Sequence, residues 1–294
     1  MIRIAAGFRA STDARRGAGD TIGFVPTMGA MHEGHASLIR CARREHPFLA
    51  VSIFVNPEQF GPGEDFEAYP RDEARDLSIC EGLGVDVVWA PPLEEMYPPG
   101  VALAEPDPGP IGTILEGLYR PGHFPGVLKA VHRLLDVAGP SAAYFGKKDA
   151  QQLFLVTRMV RELGIPVTVV ACPTVREPDG LALSSRNSYL SPEEREQAGC
   201  LFLALSEAAE LARAGERDAA VLVAAMAREI GATSLAKLDY ATVVDDESFE
   251  DNRAIDRPAR ALVAARFPST RLIDNLMLPS GAPVGEDGPT RQED

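Results

Sequence analysis

Short runs rich in Val, Ile and Phe alternate with longer stretches whose apolar residues recur every three or four positions through the first 173 residues. The runs at 21–28, 48–56, 85–90, 142–146 and 166–173 predict strands. Helical periodicity covers 34–45, 71–83, 124–138 and 149–163 between them. Strands separated by helices of this length predict right-handed βαβ units. The fold class is therefore α/β, a Rossmann-like doubly wound parallel sheet with both faces covered. Ligands of such sheets bind beyond the carboxyl ends of the strands.

The pattern changes after Ser191-Pro192. Residues 192–214 form an Ala/Glu/Leu-rich helical stretch with serine in the N-cap position and proline at its first turn. A second helix is expected over 218–230, then strands over 238–245, 260–265 and 270–277. These predict a smaller C-terminal α+β domain. The expected boundaries are 1–173 and 174–278, with a polar loop at 177–188 beside the junction. Residues 279–294, rich in Gly, Pro and acids, read as a disordered tail.

Composition narrows the functional classes. At 294 residues, with 45% hydrophobic and 24% charged residues, the chain suits a soluble globular protein. No apolar run approaches 18 residues, and Met-Ile-Arg-Ile at the start lacks the hydrophobic stretch of a signal peptide. Cys41, Cys80, Cys172 and Cys200 show no CxxC spacing, which disfavours disulfide or zinc frameworks. A cytoplasmic, reduced protein with no membrane partner is expected. The formal charge of −14 argues against a nucleic-acid partner, though a small nucleotide site needs only local cations.

The most informative chemistry lies at 24–35, Phe-Val-Pro-Thr-Met-Gly-Ala-Met-His-Glu-Gly-His. A strand, a turn and a helix start carrying two imidazoles suit a triphosphate, because the first N–H groups of a helix bind anions. No GxxxxGK[ST] occurs, so the P-loop class is excluded, and Gly17–Gly23 precedes a strand where a dinucleotide fingerprint would follow one. The histidines stand three apart, not four as in HExxH, and no third zinc ligand is evident. Both this segment and 146–149 follow strand ends, so they can share one cleft.

His32-Glu33-Gly34-His35 resembles the HxGH element of the nucleotidylyl-transferase superfamily. Ser52-Ile-Phe-Val-Asn-Pro-Glu-Gln-Phe-Gly61, Tyr69-Pro-Arg71, Arg120-Pro-Gly-His-Phe124 and Tyr144-Phe-Gly-Lys-Lys-Asp-Ala-Gln-Gln152 follow. Pro173-Thr-Val-Arg176 and Asp179-Gly-Leu-Ala-Leu-Ser-Ser-Arg-Asn187 complete the set. In this order, from about residue 21 to 277, they are similar to the pantoate–β-alanine ligase (pantothenate synthetase) family.

The resemblance implies an ATP-dependent, AMP-forming ligase acting through a pantoyl adenylate, with Mg²⁺, no tightly bound organic cofactor, and a homodimeric assembly. It implies ATP contacts from Met28, Gly29, Ala30, Met31, His32, Glu33, Gly34 and His35. Gly146, Lys147, Lys148, Asp149, Val175, Leu183, Ser184, Ser185 and Arg186 match the remaining ATP-contacting stretches. His35 corresponds to the family's proton donor. His32, Lys148, Ser184, Ser185 and Arg186 are the further catalytic candidates, since imidazoles, a compact ammonium, hydroxyls and a forked guanidinium all suit phosphate oxygens. Gln59 and Gln152 are expected to read the hydroxyls and carboxylate of pantoate, with Gln59 also near β-alanine. His123 and Arg120 are expected to order a loop, and Trp89 to lie in the core.

Some positions depart from the family pattern. Lys147 and Arg75 stand where acidic residues are common, and Pro125 follows His-Phe. The metal contacts are consequently open, with Asp76 and Asp149 as candidates. Residues 1–20 look unlike the helix usual there. Two rival readings differ in what they require. A nucleotidylyltransferase acting on a phosphate ester would call for extra Arg or Lys near Gln59. A non-catalytic nucleotide-binding relative should have lost His35, Lys148 or Arg186, and all three are present.

Overall fold

The computed structural model describes residues 1–279 and the backbone of 290–291. In chain order its elements are α1 (Ala5–Gly17), β1 (Ile22–Thr27), α2 (Glu33–Glu45), β2 (Phe48–Ile53), α3 (Glu73–Gly82) and β3 (Val87–Trp89). Short helices α4 (Leu93–Met96) and α5 (Glu116–Tyr119) lead to α6 (His123–Ala138), β4 (Ser141–Gly146), α7 (Ala150–Glu162) and β5 (Val167–Cys172). Then come α8 (Pro192–Gln197), α9 (Cys200–Arg213), α10 (Ala219–Gly231), β6 (Lys237–Asp245), β7 (Ala259–Arg266), β8 (Arg271–Leu278) and β9 (Thr290–Arg291).

The chain forms two compact units. The first takes in residues 1–147, 151–173 and β9; the second comprises 148–150 and the chain from Thr174 through β8. In the first, strands run in the order β3-β2-β1-β4-β5-β9, all parallel except β9, which is antiparallel to β5. Side chains alternate across this sheet with the period of two that a pleat imposes. Phe24, Ala50, Ala143 and Phe145 enter one core with Phe8, Leu128 and Leu155 from α1, α6 and α7. Val25, Leu49, Val51 and Tyr144 enter the other with Ile39 and Cys80 from α2 and α3. The sheet is therefore covered on both faces. Its strand order reverses between β1 and β4, the place where such sheets take their ligands.

The second unit is a three-stranded antiparallel sheet, β6-β7-β8, packed against α9 and α10. On α9 the buried stripe is mostly alanine, Ala204, Ala208, Ala209 and Ala212, with Leu201 and Leu205. Small side chains let the helix approach its neighbours closely.

Three expectations about elements change. Residues 5–17 are helical after all. Their buried face consists only of Ala5, Phe8 and Thr12, so the periodic signal is weak although Phe8 is fully buried and stacks on Trp89. The helical stretch 192–214 is two helices, parted at Ala198 and Gly199, where glycine's backbone freedom lowers helix stability. Within the expected disordered tail, Thr290–Arg291 forms a two-residue strand, and residues 280–289 and 292–294 lie outside the described residues. Trp89 is a core residue, as expected. Pro125 sits in the first turn of α6, where a missing N–H costs no helical bond.

Candidate active site

The loop between β1 and α2 is built by backbone strain held in place. Gly29 (φ 78°) and Ala30 (φ 48°) both adopt left-handed conformations, the second unusual for a residue with a Cβ. Such a pair turns successive amides to one side, and they meet an anion: Asp76 Oδ2 accepts from Ala30 N at 2.9 Å and Oδ1 from Met31 N at 2.8 Å. A Cβ on Gly29 would lie 2.7 Å from Asp76 Oδ2, so glycine is needed there for space as well as for φ. Thr27 Oγ1 donates to Ser52 O and accepts from Gly29 N, tying the loop to β2.

The loop delivers the histidine pair to the start of α2. His32 is the N-cap, and its Nδ1 accepts from Gly34 N at 3.1 Å. His35 Nδ1 accepts from His32 N at 3.4 Å, completing a capping box made of two imidazoles. The ring centroids are 4.2 Å apart. A nitrogen that accepts a backbone N–H carries a lone pair, so each neutral ring bears its proton on Nε2. Capping thus selects the tautomer that donates from Nε2, at a helix N-terminus already favourable to anions.

Gln59 ends the 3-10 turn Pro57–Gln59 after β2, and its Nε2 lies 3.0 Å from Met28 Sδ, beside the same loop. Its neighbour Asn56, nearly fully buried, is an orienting residue that sequence reasoning passed over. Asn56 Nδ2 donates to Gln59 Oε1 and to Gly126 O, while Oδ1 accepts from Tyr97 Oη and Glu58 N. Burial, with the Glu58 charge nearby, raises the Tyr97 phenol and keeps it a donor. Asn56 stands inside the Ser52–Gly61 motif, which was the signal available for it.

Gln151 and Gln152 are adjacent on the first turn of α7 but differ in use. Gln151 is buried, donating to Ile111 O and Ile114 O and accepting from Glu116 N. Gln152 is half-buried. Gly146 ends β4, next to β1 in the sheet, and Lys147 follows it, its N donating to Cys172 O at 2.8 Å.

In the second unit, residues 175–183 form a hairpin, with Glu177 N donating to Leu181 O and Leu183 N to Val175 O. Gly180 (φ 92°) turns it against Phe202. Arg176 braces it, donating to Gly180 O and pairing with both oxygens of buried Asp274 at 2.5 and 2.9 Å. The next residues are Ser184, whose Oγ accepts from Arg186 N at 3.3 Å, then Ser185 and Arg186, all half-buried. Lys148 also belongs to this unit: its carbonyl accepts from Asn275 Nδ2 at 2.7 Å, and its Nζ lies 3.4 Å from Asp149 Oδ1. Asp274 and Asn275 lie on β8, where nothing in the local sequence marks them as supports.

Metal ligation has a thin basis here. Among the described residues no group of three His, Cys, Asp or Glu could hold an ion. Asp76 has each oxygen engaged by a backbone amide, and Asp149 is exposed and faces an ammonium.

A doubly wound sheet with a histidine-capped helix at its switch point is the architecture of an HxGH nucleotide-handling enzyme. A family model described as pantoate-beta-alanine ligase matches residues 1–277. Pantothenate synthetase from Roseiflexus castenholzii is 50% identical over 271 residues, 92% of this chain and 96% of that protein. The crystal structure of pantothenate synthetase from Thermus thermophilus superposes with a TM-score of 0.88 at 47% identity, covering 95% of this chain and 99% of that one. Pantoate-beta-alanine ligase from Francisella tularensis, complexed with beta-gamma ATP and beta-alanine, gives 0.74 at 35% identity over 94% and 97%. The chain belongs to the pantoate–β-alanine ligase family and is a ligase.

Proposed function

We propose that the enzyme condenses pantoate with β-alanine in two steps. A carboxylate oxygen of pantoate attacks the α-phosphorus of Mg-ATP, expelling pyrophosphate and leaving pantoyl adenylate. The amine of β-alanine then attacks the acyl carbon, loses a proton, and expels AMP to leave pantothenate. A carboxylate is a poor acyl donor at neutral pH, and the adenylate supplies the leaving group. Adenylation asks for little covalent chemistry from the protein, so positioning and charge stabilisation carry it.

The observation that carries this reading is the capping box of His32 and His35. Their Nε2–H groups are donors held at a helix start, suited to phosphate oxygens as charge develops, with His35 as proton donor. Met28 to His35, Gly146 to Asp149, Val175 and Leu183 supply the nucleotide contacts. Lys148 offers a compact cation to the phosphates, and Ser184, Ser185 and Arg186 offer hydroxyls and a forked guanidinium. Gln59 and Gln152 read pantoate, Gln59 through Nε2. Mg²⁺ enters on the phosphates of ATP as part of the substrate. The four free, buried cysteines support a reducing, cytoplasmic setting, and the family supports a homodimer.

Incubation with Mg-ATP, pantoate and β-alanine, following AMP, tests the reading. AMP release that requires both organic substrates is expected. Release with either one omitted at the same rate would refute it.

A further inference from the structure

Gln59 is gripped at both ends. The side-chain end is set by Asn56, which donates to Gln59 Oε1 at 3.1 Å and leaves Nε2 as the donor nitrogen beside Met28. The backbone end is set by His123, whose Nδ1 lies 2.9 Å from Gln59 O. A carbonyl can only accept, so Nδ1 carries the proton. His123 Nε2 then holds the lone pair, and it faces Arg120 Nη1 at 3.0 Å, a group that can only donate. Arg120 is itself immobilised on Glu64, with Nε at 3.0 Å from Oε1 and Nη2 at 2.7 Å from Oε2. Every hydrogen in the chain from Glu64 to Gln59 therefore has one place to be.

The helix that carries His123 presses on the same turn. One turn along α6, Gly126 lies so close to the 3-10 turn that a Cβ there would stand 2.0 Å from Glu58 O and 2.8 Å from Gln59 N. Burial, reinforced by the Arg120 charge, pushes the imidazole down to about 4, so it stays neutral across the pH range of most enzymes. A charged ring would turn an N–H toward the guanidinium and break the chain of donors.

We propose that His123, locked by Arg120 and Glu64, is a positioning residue that fixes the Gln59 peptide and so the amide presented to pantoate. The proposal rests on the reading that Gln59 binds pantoate. Steady-state constants for Gln59→Ala, His123→Leu, His123→Asn and the double variant Gln59→Ala/His123→Leu test it. An asparagine amide can donate from where Nδ1 stands, so it serves as the rescue. His123→Leu should raise the KM for pantoate about tenfold, the scale of one lost hydrogen bond, and leave that for ATP within about twofold. His123→Asn should restore most of the loss. With Gln59 already cut to Ala, His123→Leu should add less than about twofold, because the two act as one unit.

An equal rise in the ATP constant, or a full His123 effect persisting without the Gln59 side chain, would overturn the proposal. An unchanged pantoate constant in Gln59→Ala alone would refute the role of Gln59, a separate failure seen in a separate variant. Should thermal melting show that His123→Leu does not fold, Glu64→Gln replaces it. That variant should raise the pantoate constant roughly threefold or more, again only when Gln59 is intact; no change would overturn the clamp.

Discussion

Single side chains in this protein carry two duties at once. His32 and His35 cap α2 through Nδ1, and that same bond decides that Nε2 is the donor. His35→Ala should lower the rate of pyrophosphate formation by roughly 10²–10³, the usual loss for one preorganised donor. The circular dichroism spectrum should be unchanged; near-normal pyrophosphate release by the folded variant would remove His35 from the mechanism. His123 gives a second prediction, in stability. Its native imidazole is depressed to about 4 from an ordinary 6.5. Between those values the unfolded chain binds the proton more readily, so stability falls as pH drops from 6.5 toward 4 and is level above 6.5. The contribution is on the order of 3 kcal/mol for a buried group so shifted. Urea melts at pH 7 and 4.5 should therefore show wild type losing more stability than His123→Asn; parallel losses would exclude the effect.

Elements matter here through where they touch. Helix α6 meets the turn Pro57–Gln59 at Gly126, where Glu58 O leaves no room for a Cβ. Gly126→Ala, favourable for an exposed helix, should here cost about 1–3 kcal/mol or more, since either the helix or the turn must shift. It should also raise the KM for pantoate by disturbing Gln59. Denaturation midpoints and steady-state kinetics check both, and an alanine variant as stable as wild type would show that the turn yields freely. Helix α3 acts similarly on the loop between β1 and α2. Asp76 is a metal candidate in the sequence because it adjoins Arg75, a position where the family commonly carries an acid. Folded, it is the anion that holds two left-handed residues in place.

For the whole molecule, the two-step scheme predicts an order of products. Enzyme, Mg-ATP and pantoate without β-alanine should release about one equivalent of pyrophosphate per site and then stall, the adenylate being kept from water. Rapid-quench measurement of pyrophosphate decides this; none until β-alanine arrives would exclude a preformed adenylate. The net charge of −14 does not oppose binding of anionic substrates. The groups proposed for phosphate are local: helix-start donors in one unit, and Lys148 and Arg186 in the other.

The strand–helix alternation, the α/β class and the motif order were legible along the chain, because a pleated strand and a helix impose periods of two and 3.6 on any side chains that must be buried. Helix α1 was not legible, since one phenylalanine and two small residues make too faint a period. Nor could spacing reveal what Asp76, Asn56, His123, Arg176 and Asn275 do. Each works on a backbone group distant in sequence: Asp76 on Ala30 and Met31, Asn56 on Gly126, His123 on Gln59, Arg176 and Asn275 on β8 and Lys148. The chemistry of the reacting groups is written in residue type and order. The geometry that makes them competent comes from buried hydrogen bonds that only tertiary folding closes, because an unpaired polar group in the interior is too costly to leave.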